Sequence, residues 1–215
     1  MALDEGFKIK RYHSDNGIFA SAEFKQHCAL QHQTYSFSGV GAKHQNGIAK
    51  RNIKTDAQWT QANMLHLATH WPQFASPKYW PQAIDYAVWV FNRLPNIETG
   101  IALNKVWSSV RSPSSELLRT HVFGCPVYVL DASLQDGKKI PKWSPRARLG
   151  LFLGFSDLHS SQVPLVLNVA TGHISPQFHV IFGDEFETVN SLHLTNISIN
   201  NRLKYSRWDV NALWT

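Results

Sequence analysis

The spacing of apolar residues changes once along this chain, near His121, and that change limits the folds open to it. Between about Asn46 and Leu94 the chain reads as helix. Ile48, Ile53, Ala57, Met64, Leu67, Ala68 and Trp71 fall at roughly helical spacing, and Pro72 ends the run. Ser76-Pro77 then supplies an N-cap and a proline for the first turn of a second helix over residues 77–94, apolar on nearly every side and so expected to be buried. From His121 onward the period shortens. H-V-F-G-C-P-V-Y-V-L, A-R-L-G-L-F-L-G-F, P-L-V-L-N-V and I-S-P-Q-F-H-V-I-F are rich in β-branched and aromatic residues and are separated by turn material. Four or five short strands in so brief a stretch predict a small all-β barrel.

The first 45 residues carry a mixed pattern. F-K-I-K-R-Y-H at 7–13 alternates like a strand, and S-D-N-G follows with turn chemistry. A short helix is expected next, capped by Ser21, with Phe24, Cys28 and Leu30 facing inward. T-Y-S-F at 34–37 reads as a short strand and residues 38–47 as a loop. The expected organisation is therefore an α/β domain over 1–95, a linker over 96–118, a small barrel over 119–188 and a poorly ordered tail over 189–215.

Charge narrows the partners. The net charge is +6 on a chain 43% apolar and 12% aromatic, a globular composition with a basic balance. Lys and Arg outnumber Asp and Glu 8 to 4 over residues 1–54 and 6 to 2 over 119–150, whereas 55–118 is balanced and 151–215 is acidic. Two basic blocks fit a polyanion such as nucleic acid; they also fit two solvated faces. Cys28 and Cys125 are the only cysteines, so no disulfide framework is expected and a reduced compartment, nucleus or cytoplasm, is the default. No apolar run is long enough for a membrane span, and M-A-L-D-E-G-F-K does not read as a signal peptide.

Several residues are candidates for chemistry. Asp15 follows a strand and precedes Asn-Gly, where a carboxylate can project from a turn or bond its own backbone. Asn46, Lys50 and Lys54 are four apart and share one helix face, with Lys43 before them and Arg51 beside them. Such a face can lie along a phosphate backbone or simply be solvated. Lys138, Lys139, Lys142, Arg146 and Arg148 surround Trp143, a mixture of cations and an aromatic suited to backbone contact with stacking. His66 and His70 have the i, i+4 spacing of a zinc pair, but Leu67 stands where a metalloprotease needs its glutamate and no third ligand is evident. His27-Cys28 with His32 is a weaker grouping of the same kind. No G-x-S-x-G, P-loop or dinucleotide fingerprint occurs, which argues against hydrolase, kinase and Rossmann readings.

Taken in order, these pieces resemble a known family. K-R-Y-H-S-D-N-G-I-F-A-S-A-E-F-K-Q-H-C, H-Q-N-G-I-A-K-R-N-I-K-T and Y-W-P-Q-A-I-D-Y-A-V-W-V-F-N-R-L-P resemble the second half of a copia-type retrotransposon integrase core. H-V-F-G-C-P-V-Y-V-L-D, W-S-P-R-A-R-L-G-L-F-L-G-F-S and L-V-L-N-V-A-T-G-H-I-S-P-Q-F-H-V-I-F resemble the SH3-like domain that follows it in the Pol polyprotein. The series spans roughly residues 6 to 188. It implies a truncated RNase H-like integrase core, α/β in class, followed by an SH3-like barrel. It also implies a family in which three carboxylates hold two divalent ions, Mg²⁺ or Mn²⁺, for phosphodiester cleavage and strand transfer.

The resemblance implies its own exception. Asp15 matches the acid of the S-D-N-G turn, but the family glutamate of the N-G-x-A-E-R pattern falls on Lys50. A protonated lysine cannot ligate a dication and places a positive charge where one would sit. The family's first acid belongs to an earlier strand, and Asp4 and Glu5 lie too close to the Asp15 strand to come from one. The expectation is an inactive fragment of a polynucleotidyl transferase with no metal of its own. The partner expected is DNA, bound weakly through its backbone, with other integrase or Pol chains as further partners. No membrane and no small-molecule substrate is expected. Two alternatives belong to other classes: a non-catalytic protein-interaction module built on the barrel, and an integrase completed in trans by another chain. The sequence also predicts that helix 77–94, deprived of its sheet, exposes an apolar surface.

Overall fold

In the computed structural model, residues 8–15, 17–108, 117–159 and 162–189 are described. The class is mixed α and β, and the chain divides into two compact units, Met1–Ala57 and Gln58–Thr215.

The first unit is built around strand β1 (Arg11–Ser14), helix α1 (Ala22–Leu30) and strand β2 (Thr34–Phe37). The two strands are parallel, with Tyr12 opposite Tyr35 and Ser14 opposite Phe37, so the helix between them makes a βαβ unit. Ser21 caps α1 as its position predicts, accepting a hydrogen bond from the Phe24 amide. The small core is largely aromatic. Phe24 meets Tyr12, Phe19 and Tyr35 edge-on, and Cys28 is fully buried. Two expectations need correction. Leu30 is 71% exposed, because residues two apart on a helix lie on nearly opposite sides and Cys28 takes the inner one. The first strand also begins later than 7–13 suggests, since it extends only where Thr34–Phe37 can pair with it; Phe7 lies outside the described residues.

Helix α2 (Gly47–His70) starts after a 3₁₀ turn over Lys43–Asn46. Every residue from Ile48 to Lys54 is exposed, including Ile48 and Ile53, which its apolar spacing assigned to the inner face. Only the second half of the stripe is covered. Met64, Leu67 and, just past the helix, Trp71 are buried in the larger unit.

That larger unit joins helices to a sheet. Ser76 caps a 3₁₀ turn over Pro77–Tyr79 that runs into α3 (Trp80–Phe91), followed by a short α4 (Leu103–Ser108). The sheet contains β3 (Pro126–Leu130), β4 (Ala147–Phe155), β5 (Pro164–Asn168), β6 (Ile174–Pro176) and β7 (Val180–Phe182), with a single-turn α5 (Ala132–Gln135) after β3. All pairings are antiparallel and the order is β6-β5-β4-β3-β7, so four strands meander and the fifth returns to the first. The run I-S-P-Q-F-H-V-I-F thus supplies two strands. The Gln177 amide bonds the Pro164 carbonyl and closes the first of them, after which the chain crosses to pair with β3.

The expected break over 96–118 does not separate the packing. Met64, Leu67, Trp71, Tyr79, Ala83 and Tyr86 from the helices share one core with Phe123, Val127, Val129, Leu151, Phe152, Leu153, Val166 and Leu167 from the sheet. Helix α3 is covered on one face: Ala83, Tyr86 and Ala87 are buried and Tyr86 meets Phe152 edge-on at 5.3 Å. That part of the apolar surface expected on 77–94 packs on β4, while Trp80, 51% exposed, and Leu94, 36% exposed, leave another part open. The tail expected from 189 lies outside the described residues except for Val189, which is buried in this core.

Two polar bonds fix the helix-to-sheet register. The Trp71 indole donates to the Gly124 carbonyl at 2.8 Å in a buried setting, and the Tyr86 hydroxyl donates to the His121 carbonyl. Gly124 has φ +79°, and a Cβ there would stand 2.8 Å from Leu67 Cδ1. Glycine is required on both counts. Replacing Trp71 with Phe keeps an aromatic ring but leaves the Gly124 carbonyl buried without its donor. We expect a loss of about 2–4 kcal/mol of unfolding free energy, read from the urea midpoint; an unchanged midpoint would show that the indole bond does not couple helix to sheet.

Candidate nucleic-acid interface

Asp15 sits directly after β1, as its turn sequence predicts, with its side chain exposed and the Ser14 hydroxyl donating to its own backbone carbonyl. Its carboxylate leans over Gly17, where a Cβ would stand 3.3 Å from Oδ1. Lys50 lies in the first turn of α2, exposed, and Arg51 and Lys54 are exposed beside it. Among the described residues no ion pair engages any of these three cations. Asn46 is half-buried at the end of the 3₁₀ turn that precedes the helix, and Lys43 opens that turn. The first two turns of α2 thus present exposed cations that no carboxylate pairs with among the described residues.

These residues do not fit a pair of divalent ions. Such ions need oxygen donors converging on one point. At Lys50 the side chain offers only N–H donors. Among the described residues no group of three or more His, Cys, Asp or Glu side chains is placed to hold a metal ion. His66 and His70 are indeed adjacent, with ring centroids 4.5 Å apart, but both rings pack on Phe186, at 5.2 and 4.1 Å. His27 and His32 are exposed while Cys28 between them is buried, so that grouping does not converge.

The second basic block lies on the connection from β3 to β4. Asp131 caps α5 by accepting from the Ser133 amide, and the Asp131 amide bonds the Arg146 carbonyl at 2.9 Å, which pins the two ends of the loop together. Within it Lys138 pairs with Asp136 at 3.6 Å, both well exposed, a pairing that solvent and salt weaken. Lys139, Lys142 and Arg146 are exposed and enter no ion pair among the described residues, and Arg148 on β4 is half-buried. Trp143 is 89% exposed at the turn Pro141–Ser144, its ring approached by Lys142 Nζ at 5.3 Å. Of the loop cations, Lys142 stands over the indole, and the others share the same connection in sequence.

A third grouping escaped sequence reasoning. Asp184 accepts from the His121 ring at 2.8 Å and from the Val122 amide at 2.9 Å, and its charge is felt by the buried Cys125 thiol. His121 stacks flat on Phe182 at 3.5 Å. Cysteine, carboxylate and histidine together invite a catalytic reading, but the geometry opposes it. Cys125 is wholly buried, its thiol pushed far up by burial and by Asp184. The cluster is a latch from the segment before β3 to the segment after β7. No motif joins residues 63 apart, so no sequence signal marks it.

No protein-family model matches the chain, and no curated protein matches it either. No helix is long and apolar enough to cross a membrane among the described residues.

The latch gives a pH dependence. Burial alone would raise the Asp184 carboxyl, but the hydrogen bonds from His121 and Val122, with the charge of His121, outweigh it and hold the group below its ordinary value. A carboxyl lowered on folding adds stability above its unfolded value, about 4, and that stability is lost as pH falls through the folded value. Asp184→Asn should therefore melt below the wild type at neutral pH, and the gap should close as pH drops below about 4. A gap that stays constant across that range in thermal scans would remove the carboxylate's charge from the account.

Proposed function

We propose that this chain is a decayed relative of copia-type integrases, joining part of an RNase H-like core to an SH3-like barrel. It is inactive in strand transfer and retains association with DNA through its two basic surfaces. The observation that carries the reading is Lys50. It stands one turn into the helix that follows Q-N-G, the place of the family glutamate, and it is an exposed cation with no ion pair among the described residues. A preceding segment could add a strand and an acid; it could not turn this lysine into a carboxylate.

Two features of the fold support the parentage. The β1-α1-β2 unit is a parallel pair with both outer edges open among the described residues, and parallel strands rarely stand as a sheet of two. It reads as part of a wider sheet. In the larger unit, a meander whose fifth strand returns to the first is the order expected of a small SH3-like barrel.

The binding half of the proposal rests on charge. Each lysine or arginine that meets a phosphate releases counterions, so affinity falls with salt. For duplex DNA, the double substitution Lys50→Ala/Lys54→Ala should weaken binding and reduce the slope of log affinity against log salt by about 2, measured by gel shift. Absence of any wild-type shift at low salt would defeat the binding reading. With Mg²⁺ or Mn²⁺ and oligonucleotide substrates, no strand-transfer product is expected; a product would defeat the argument from Lys50.

A further inference from the structure

Trp143 has no structural task that its surroundings reveal. It is 89% exposed, it is not part of the buried core, and the Lys142 ammonium stands 5.3 Å from its ring. The sequence around it is P-K-W-S-P, with Pro141 and Pro145 on either side and the Ser144 amide bonded to the Pro141 carbonyl. Two fixed φ angles and a closed turn hold the indole outward at little further entropic cost. Lys139, Lys142 and Arg146 lie on the same connection within four residues of it, exposed and outside any ion pair among the described residues. The loop's ends are tied by the Asp131 amide to the Arg146 carbonyl, which keeps the cations and the ring on one short, closed connection.

Charge alone would serve duplex and single strands alike. The indole would not. In a duplex both faces of every internal base are already stacked on their neighbours, so an exposed ring finds no partner there. A single strand can turn a base face outward, and a base on an aromatic ring gains about 1–3 kcal/mol whatever its identity. We infer that the β3–β4 loop is a binding site for single-stranded DNA, with Trp143 as the stacking platform for one base and Lys139, Lys142 and Arg146 as contacts to the phosphates on either side. This rests on the proposal that the chain binds DNA, and it names the form of DNA that this loop takes.

The test uses the full chain and fluorescence anisotropy with labelled oligothymidine of about 15 nucleotides, a mixed-sequence duplex of equal length and oligouridine. Single-stranded DNA should bind more tightly than duplex. Trp143→Ala should weaken single-strand binding about five- to hundred-fold, leave duplex binding unchanged and leave the melting temperature unchanged, since the side chain lies outside the core. Trp143→Phe should restore most of the loss and Trp143→Leu should not, which separates stacking from plain apolar contact. The triple substitution Lys139→Ala/Lys142→Ala/Arg146→Ala should lower the single-strand salt slope by about 2 with the indole intact.

Three results would overturn the inference: equal loss on duplex and single strand in Trp143→Ala, no loss on either, or a preference for oligouridine over oligothymidine. In these cases the DNA-binding reading survives. If wild type binds none of the three probes at low salt, that reading fails as well.

Discussion

A buried indole N–H has to find an acceptor, and the acceptor that Trp71 finds is the carbonyl of Gly124, just ahead of the five-stranded sheet. The bond spans 53 positions of sequence and sets where α2 ends against where β3 begins. Leu67, one turn earlier, fills the space that a side chain at residue 124 would take. With that contact in place Tyr86 reaches the His121 carbonyl, α3 lies on β4, and the aromatic cluster of Tyr86, Trp89, Phe152 and Phe155 closes. Helices that resemble one domain and strands that resemble another therefore form one hydrophobic body. The Asp184 latch then ties the first residues of the stranded part to the last ones described, so the sheet is fastened at both ends.

Much of the local structure is legible in the sequence because it depends on neighbours along the chain. Ser21 caps a helix, Thr34–Phe37 is a strand, Pro72 stops a helix and Ser76-Pro77 starts one, each through chemistry complete within a few residues. What escapes is decided by distant partners. Apolar spacing says that α3 needs a cover but not that β4 supplies it, so a border drawn where the periodicity changes does not follow the packing. The same limit applies to Ile48 and Ile53, whose spacing marks an inner face although neither is covered. Leu30 is a simpler failure: it was placed beside Cys28 without regard to the turn of the helix.

The sites divide along similar lines. Lys142 meets the Trp143 ring because the two are adjacent in sequence, and the loop that carries the other cations is pinned at its base, so spacing alone suffices to place them on one connection. The reading proposed for Lys50 comes from the Q-N-G pattern before it, since a lone exposed lysine suggests nothing beyond a solvated charge. The grouping of His121, Cys125 and Asp184 could not be read at all, and its chemistry is the reverse of what its residue types suggest. Burial makes the thiol inert, and the carboxylate spends its hydrogen-bonding capacity on the chain rather than on a substrate.

The shared core has a bearing on how this polypeptide would respond to damage. The turn at Ile97–Thr99 is exposed, and it follows the helices that pack on the sheet. A single backbone cut there would sever the covalent path between α3 and β3 without touching the surface that holds them together. The two pieces would remain associated until denatured, behaving as a noncovalent pair in which each fragment is the missing wall of the other. Continuity of the chain and continuity of the folded body are separate properties here, and the second depends on the interlock of α2 and α3 with the sheet.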